Sequence, residues 1–251
     1  MDARFVWCDL STFDLDRACD FYGRVLGWSA SRTGLMGVGN DYTLCHAGGA
    51  AAAAIYTMPP FFRSIGMPSF WMSYVRVASL DASYDRAAEL GAKCEIEPTP
   101  FDENSRFALV RDPSGAGFTL YEGPDPRGRD DDARSGSMAW NELHVTSPEA
   151  AVEFYGRLFG WRATPDPSFG GRHNLLLPTG EVVGSILQID DTVKGPKNYW
   201  AVVFATGDLN AALHAVTSYG GTLVASTDDR LDYTLASDDQ GAVFCLTPAS
   251  G

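Results

Sequence analysis

The chain has no apolar run approaching the roughly 18 residues that a membrane-crossing helix needs, so no spanning segment is expected. It is poor in positive charge: 19 Lys and Arg stand against 32 Asp and Glu, a formal net charge of -13. A surface of that sign repels a phosphate backbone, and no basic cluster is interleaved with aromatics, so nucleic acid is not an expected partner. Cysteine is sparse: Cys8, Cys19, Cys45, Cys94 and Cys245 are odd in number and include no CxxC pair. That usage excludes a disulfide framework or zinc knuckle and suits reduced, mostly buried thiols. The opening "MDARFVWCDL" lacks a basic segment followed by an apolar one, so the expected location is the cytoplasm.

What is present is a unit written twice. "VWCDLSTFDLDRACDFYGRVLGW", Val6 to Trp28, matches "AWNELHVTSPEAAVEFYGRLFGW", Ala139 to Trp161, at a constant offset. Trp7 pairs with Trp140, Asp9 with Glu142, the FYGR block with its copy, and Gly27-Trp28 with Gly160-Trp161. In each copy a strand leads into a helix. Leu15, Ala18, Cys19, Tyr22, Val25 and Leu26 follow the i, i+3, i+4, i+7 spacing of an amphipathic helix, closed by Gly27 as a left-handed cap. The second helix starts at Ser147-Pro148 and stops at Gly160.

Strand-rich stretches with Gly turns follow, "DYTLCHAGGAAAAAIYTM" and "HNLLLPTGEVVGSILQI". After the crossovers "PPFFRSIGMPS" and "KGPKN", read as loops, each half restarts with a strand and a helix ending at Gly91 or Gly220. Each half closes on a turn and an apolar strand, "RDPSGAGFTLYEG" and "SDDQGAVFCLTPA". The pattern is therefore βαβββ four times. Residues 123–137, "GPDPRGRDDDARSGS", are charged and apolar-poor and read as a linker between domains 1–122 and 138–251.

The FYGxxxGW helix end, together with a later DPxGxxF turn into the last strand, resembles the vicinal oxygen chelate superfamily of glyoxalases, bleomycin-resistance proteins and extradiol dioxygenases. The resemblance spans nearly the whole chain and implies an α+β fold: two tandem domains, each of two βαβββ modules forming a curved, cup-like mixed sheet. Metal-dependent members place His or Gln on the first strand, a second ligand on the strand opening the second module, and a Glu after the DPxG turn. Carried onto this chain, those positions hold Trp7, Met72 and Thr119 in one half and Trp140, Ala201 and Cys245 in the other. Indole and alanine donate nothing to a divalent cation, and a lone Met, Thr or Cys makes no site, so no metal and no cofactor are expected.

Strand side chains alternate faces, so Trp7, Asp9 and Ser11 share one face and Trp140, Glu142 and His144 another. If these strands line the cups, each cup receives a carboxylate, expected to have its pKa raised by desolvation, and the second adds a histidine able to share its proton. The candidate catalytic groups are Glu142, His144 and Asp9. The alternative stays open that both carboxylates are structural and paired. Candidate ligand contacts are Trp7, Tyr56, Phe61, Phe62, Trp71, Thr119, Trp140, Trp200 and Cys245, with His46 and His173 read as turn and loop residues. The leading expectation is a metal-free binder of an aromatic or polycyclic natural product or antibiotic. Alternatives are a cofactor-independent isomerase, lyase or cyclase using Glu142 and His144, and a metal-dependent glyoxalase or dioxygenase with ligands outside the family positions. The expected partner is a small molecule, for a monomer or homodimer.

Overall fold

The computed structural model describes residues 3–33, 42–127, 134–224 and 232–249. The first half runs β1 (Arg4–Thr12), α1 (Leu15–Leu26), β2 (Ser29–Arg32), β3 (Thr43–Ala47), β4 (Ala50–Thr57), α2 (Pro60–Ser64), β5 (Phe70–Arg76), α3 (Leu80–Glu89), β6 (Lys93–Pro100), β7 (Arg106–Arg111) and β8 (Gly117–Glu122). The second half runs β9 (Met138–Val145), α4 (Glu149–Phe159), β10 (Arg162–Pro165), β11 (Arg172–Leu176), β12 (Val182–Gln188), α5 (Asp191–Lys194), β13 (Tyr199–Thr206), α6 (Leu209–Ser218), β14 (Thr222–Leu223), β15 (Thr234–Ser237) and β16 (Val243–Pro248). This is an α+β chain with two eight-stranded mixed sheets, β1–β8 and β9–β16. Each sheet contains two four-stranded arrays, ordered β2-β3-β4-β1 and β5-β8-β7-β6 in the first, β10-β11-β12-β9 and β13-β16-β15-β14 in the second. In every array the opening strand runs parallel to the closing one, β1 with β4, β5 with β8, β9 with β12 and β13 with β16.

Local chemistry fixes the helix ends. Asp14 accepts the Arg17 N–H at the start of α1, and Gly27 ends it at φ 70°, a left-handed conformation that costs glycine little. Helix α4 also stops on a left-handed glycine, Gly160 at φ 72°, but begins without a side-chain cap, because its cap position holds Pro148, whose side chain has no acceptor. Neither crossover is wholly loop. "PPFFRSIGMPS" holds α2, whose Pro60 supplies the fixed φ of a first helical turn, and α5 ends on Lys194, the first residue of "KGPKN".

The packing interleaves the halves. One compact unit contains Met1–Val6, Ser73–Pro124 and Trp140–Ala201; the other contains Trp7–Met72, Asp125–Ala139 and Val202–Gly251. In the first, α3 lies against α4; in the second, α1 lies against α6. The first unit buries an aromatic cluster of Phe5, Phe118, Phe154, Tyr155, Trp161 and Trp200. The second buries Phe21, Tyr22, Trp28, Trp71, Phe204 and Phe244. Each tilted or edge-on pair adds about 0.5–1.5 kcal/mol beyond its area.

Within each cluster a polar chain is satisfied. Trp200 Nε1 donates to the Tyr155 hydroxyl at 2.8 Å, which donates to Asp112 Oδ2 at 2.9 Å. Trp71 Nε1 donates to Tyr22 at 2.9 Å, which donates to Asp238 Oδ2 at 3.1 Å. The tyrosines belong to the FYG blocks and the aspartates to the closing turns of the opposite halves. The segment read as a linker is tied down at both ends: Tyr121 donates to the Pro124 carbonyl, and the Gly136 carbonyl accepts Trp28 Nε1 while its N–H bonds Ala205 O. Its centre, 128–133, lies outside the described residues.

Candidate functional site

Strand β9 alternates as its sequence requires. Leu143 and Val145 are buried apolar side chains, while Trp140, Glu142 and His144 share the opposite face. The register places Ser185 of β12 beside Glu142 and Asn174 of β11 beside Ser185, so Arg172, two residues before Asn174, reaches across the same face. Arg172 Nε lies 2.8 Å from Glu142 Oε2, and the Ser185 hydroxyl donates to that oxygen at 2.6 Å. Trp140 Nε1 donates to Ser185 at 2.8 Å. On the other side His144 Nε2 stands 3.5 Å from Glu142 Oε1, and its Nδ1 faces the Tyr199 hydroxyl at 3.3 Å. Glu142 and His144 have no exposed surface; Trp140, Arg172 and Tyr199 are half-buried. The Arg172 guanidinium also covers the Phe169 ring at 4.6 Å and lies 3.8 Å from Asp166.

The expected rise in the Glu142 pKa is overturned. Burial pushes the carboxyl up, but the His144 hydrogen bond, the charges of His144 and Arg172, and the Ser185 hydroxyl outweigh it and hold the group below its ordinary range. Glu142 is thus a stabilised anion. It suits holding a positive charge on His144 better than taking a proton itself.

The other unit carries the matching carboxylate in a different setting. Asp9 on β1 is buried and accepts the Tyr42 hydroxyl at 3.4 Å, and Trp7 Nε1 donates to Tyr42 at 3.0 Å. Tyr56 stacks on Tyr42 at 6.1 Å, and burial, then the Asp9 charge, pushes both phenols up. In register, Asp9 faces Ala54 where Glu142 faces Ser185, and Tyr42 stands where the second half has Arg172. Here the Tyr42 phenol donates to the carboxylate from the position that Arg172 holds in the second half.

Trp71 and Trp200 are corrections. Both point to the helix side of their strands, where their indoles bond Tyr22 and Tyr155 within the aromatic cores. A one-residue step along a strand reverses the face, so Phe70, Met72 and Tyr199, not the tryptophans, lie on the other side. Phe61 is 65% exposed on α2 and meets Phe62 edge-on, and Arg63 is drawn to the Phe13 carbonyl and ring. Thr119 and Cys245 are buried on β8 and β16. His46 and His173 are strand residues, of β3 and β11, and not turn or loop residues. Sequence reasoning passed over Arg172, Ser185, Tyr42 and the hydroxyl of Tyr199. The first three lie on neighbouring strands, Tyr42 directly before β3, and come onto the carboxylate face only once β12 is paired with β9, β11 with β12 and β3 with β4.

The family metal positions do not suit a divalent ion. The indole nitrogens of Trp7 and Trp140 are N–H donors already committed to Tyr42 and Ser185, and Ala201 has no donor. Among the described residues no group of three His, Cys, Asp or Glu is placed to hold one.

The fold defines a tandem βαβββ protein of the glyoxalase type. Residues 4–120 match the Glyoxalase/Bleomycin resistance protein/Dioxygenase superfamily and 140–247 the Glyoxalase-like domain, and the chain belongs to that superfamily. It is 30% identical to glyoxylase CFP32 of Mycobacterium tuberculosis, a provisional name, over 97% of this chain and 94% of that one. It is 27% identical to the anthracycline biosynthesis protein DnrV of Streptomyces peucetius, over 86% of this chain and 82% of the relative. The Mn(II)-bound glyoxalase of Novosphingobium aromaticivorans shares the fold at TM-score 0.63 and 16% identity, over 98% of this chain and 81% of that one.

Proposed function

We propose that the protein binds a planar, polycyclic aromatic metabolite of the anthracycline kind without a metal ion. The observation that carries this reading is the chemistry at the metal positions, Trp7, Met72 and Thr119 with Trp140, Ala201 and Cys245, in a chain whose relatives include a protein named for anthracycline biosynthesis. Indole and thioether surfaces suit a flat, polarisable ring system, and half-buried Trp140 beside Arg172 offers a stacking face next to a cation for a phenolate or quinone oxygen. Thermal-shift and native mass spectrometry titrations against a panel of anthraquinones and anthracyclines test it. The expected result is stabilisation by polycyclic members that added Mn(II) or Zn(II) leaves unchanged; affinity that appears only with metal would overturn it.

A second reading rests on the buried Glu142–His144 contact: proton transfer on the bound aromatic, in the manner of a cofactor-independent isomerase or cyclase. Chemical change of a bound compound without added metal supports it over pure binding. The lowered Glu142 pKa makes His144 the proton carrier in this version, with Glu142 as its counter-ion.

A further inference from the structure

The polar chain running from Arg172 through Glu142 and His144 ends on a phenol, and its hydrogen-bond directions are set by its charged end. Glu142, 2.8 Å from the guanidinium and accepting the Ser185 hydroxyl, is an anion whose oxygens offer only lone pairs. The ring nitrogen facing it, Nε2, therefore carries a proton, and in a neutral imidazole Nδ1 is then the lone-pair nitrogen. That nitrogen faces Tyr199 at 3.3 Å, so when His144 is neutral the phenol donates to it. The two groups behind Tyr199 are fully buried, whereas Tyr199, which opens β13, is half-buried. Trp200 points into the aromatic core, so Tyr199 lies on the opposite face of β13.

We propose that Tyr199 is the group through which this site exchanges a proton with its ligand, with His144 as the proton store and the Glu142–Arg172 pair as its fixed counter-charge. The inference rests on the aromatic-ligand reading for the identity of the recipient, a phenolic or enolic hydroxyl on a polycyclic ring. As the ligand O–H breaks, its proton forms a new bond to the Tyr199 oxygen, and the original phenolic proton passes to His144 Nδ1. The products are a ligand oxyanion and an imidazolium, the latter facing the Glu142 carboxylate. No electrons are transferred, and the site's net charge rises by the one proton that the ligand loses.

The first half offers a built-in contrast. There Tyr42 donates to Asp9, Tyr56 stacks on Tyr42, and Ser11 stands where the second half has His144.

Two measurements separate the proton path from the ligand. Nitrogen-15 NMR of His144 in the protein alone should show a protonated Nε2 and an accepting Nδ1, with the Nδ1 resonance shifting in Tyr199→Phe. A protonated Nδ1, or one that does not respond to Tyr199→Phe, overturns the path. The second uses 2-hydroxyanthraquinone as probe, below the pH at which its free phenol ionises, and follows the phenolate absorption band on binding. Wild type should bind the probe as phenolate, and Tyr199→Phe should bind it up to about tenfold more weakly and with a phenolate-to-phenol ratio roughly tenfold lower, the effect of one pKa unit. Equal phenolate fractions in the two proteins would overturn the role of Tyr199. Failure of the probe to bind either protein would overturn the aromatic-ligand reading and the proposed recipient, leaving the nitrogen shifts to judge the path.

Discussion

The hydroxyl of Tyr155 donates to Asp112 Oδ2 at 2.9 Å, joining the FYG helix of the second half to the closing turn of the first. Asp112 Oδ1 meanwhile accepts the N–H groups of Ser114 and Ala116, so one carboxylate both shapes its turn and anchors a helix from the other half. Tyr22 and Asp238 repeat the arrangement in the other unit, where Asp238 Oδ1 accepts Gln240 and Ala242 N–H. The duplicated motifs are thus reciprocal parts: each turn aspartate is completed by the helix tyrosine of the other copy.

Tyr155→Phe should therefore cost more than an ordinary surface change. It strands both the Asp112 oxygen and the Trp200 indole N–H in the core, a loss of about 1–3 kcal/mol for each unsatisfied group. Urea unfolding should show that drop with an unchanged m-value; a change within error would mean that water replaces the hydroxyl.

Glu142 and Arg172 should be strongly coupled. Removing one partner of a buried pair costs about 3–5 kcal/mol, because the other charge is left without compensation. Glu142→Gln and Arg172→Met should each destabilise the protein, while the double variant should lose less than their sum, by about 0.5–3 kcal/mol of interaction energy. Additive losses in a denaturation cycle would show that the pair contributes no coupling.

The acid limb of stability should carry the mark of Glu142. Its folded pKa is lowered, so its contribution is fully present above the ordinary carboxylate value of about 4.3 and is lost as pH falls through the folded value. Asp238 has the opposite sign: burial raises its pKa, and its contribution is lost as pH rises through that raised value. Because Asp238 is common to both proteins, comparing wild type with Glu142→Gln isolates Glu142. Wild type should lose stability more steeply on acidification; parallel curves would show that Glu142 is not held ionised.

Much of this was legible in the residues. The periodicity of Leu15 to Leu26 and the glycine at 27 define α1 to the residue, because an amphipathic stripe and a left-handed cap are local properties. The shared face of Trp140, Glu142 and His144 follows from the two-residue period of a strand. Two things were not local. Periodicity says which face of a module is apolar but not which module covers it, so the exchange of partners seen at Tyr22–Asp238 and Tyr155–Asp112 has no sequence signature. The sign of the Glu142 shift depends on His144 and on Arg172, which follows the glycine pair of "FGGRHN" and looks like a loop residue until β11 is paired with β12. Trp71 and Trp200 misled for a simpler reason: a large aromatic next to a crossover looks like a ligand contact, and one residue of strand register sends it into the core.

Gly136 marks where the connecting segment is pinned. At φ 82° its added Cβ would lie 2.8 Å from Ala47 Cβ and 2.9 Å from the Leu26 carbonyl, so neither backbone nor neighbours have room. Gly136→Ala should lower stability by about 0.5–3 kcal/mol and disturb the Trp28 indole bond to the Gly136 carbonyl. A change in Trp28 fluorescence accompanying a lower melting temperature checks both effects; an unaltered melting temperature would show that the segment yields freely.

The two tryptophans that stand at the family's first metal position should behave differently, because their surroundings do. Trp7 is 2% exposed and packed beside Tyr42, whereas Trp140 is half-buried, with its indole N–H on Ser185. Trp7→Ala opens a cavity in a filled interior and should cost about 3–5 kcal/mol. Trp140→Ala removes a face that solvent already reaches, so it should cost clearly less stability while weakening a hydroxyanthraquinone roughly tenfold, in the range of a lost aromatic contact of about 0.5–1.5 kcal/mol. Chemical denaturation paired with fluorescence titration of the same two variants gives both numbers. If Trp7→Ala proves the mild change and the binding-deficient one, the ligand belongs with Asp9 and its tyrosines rather than with Glu142 and His144.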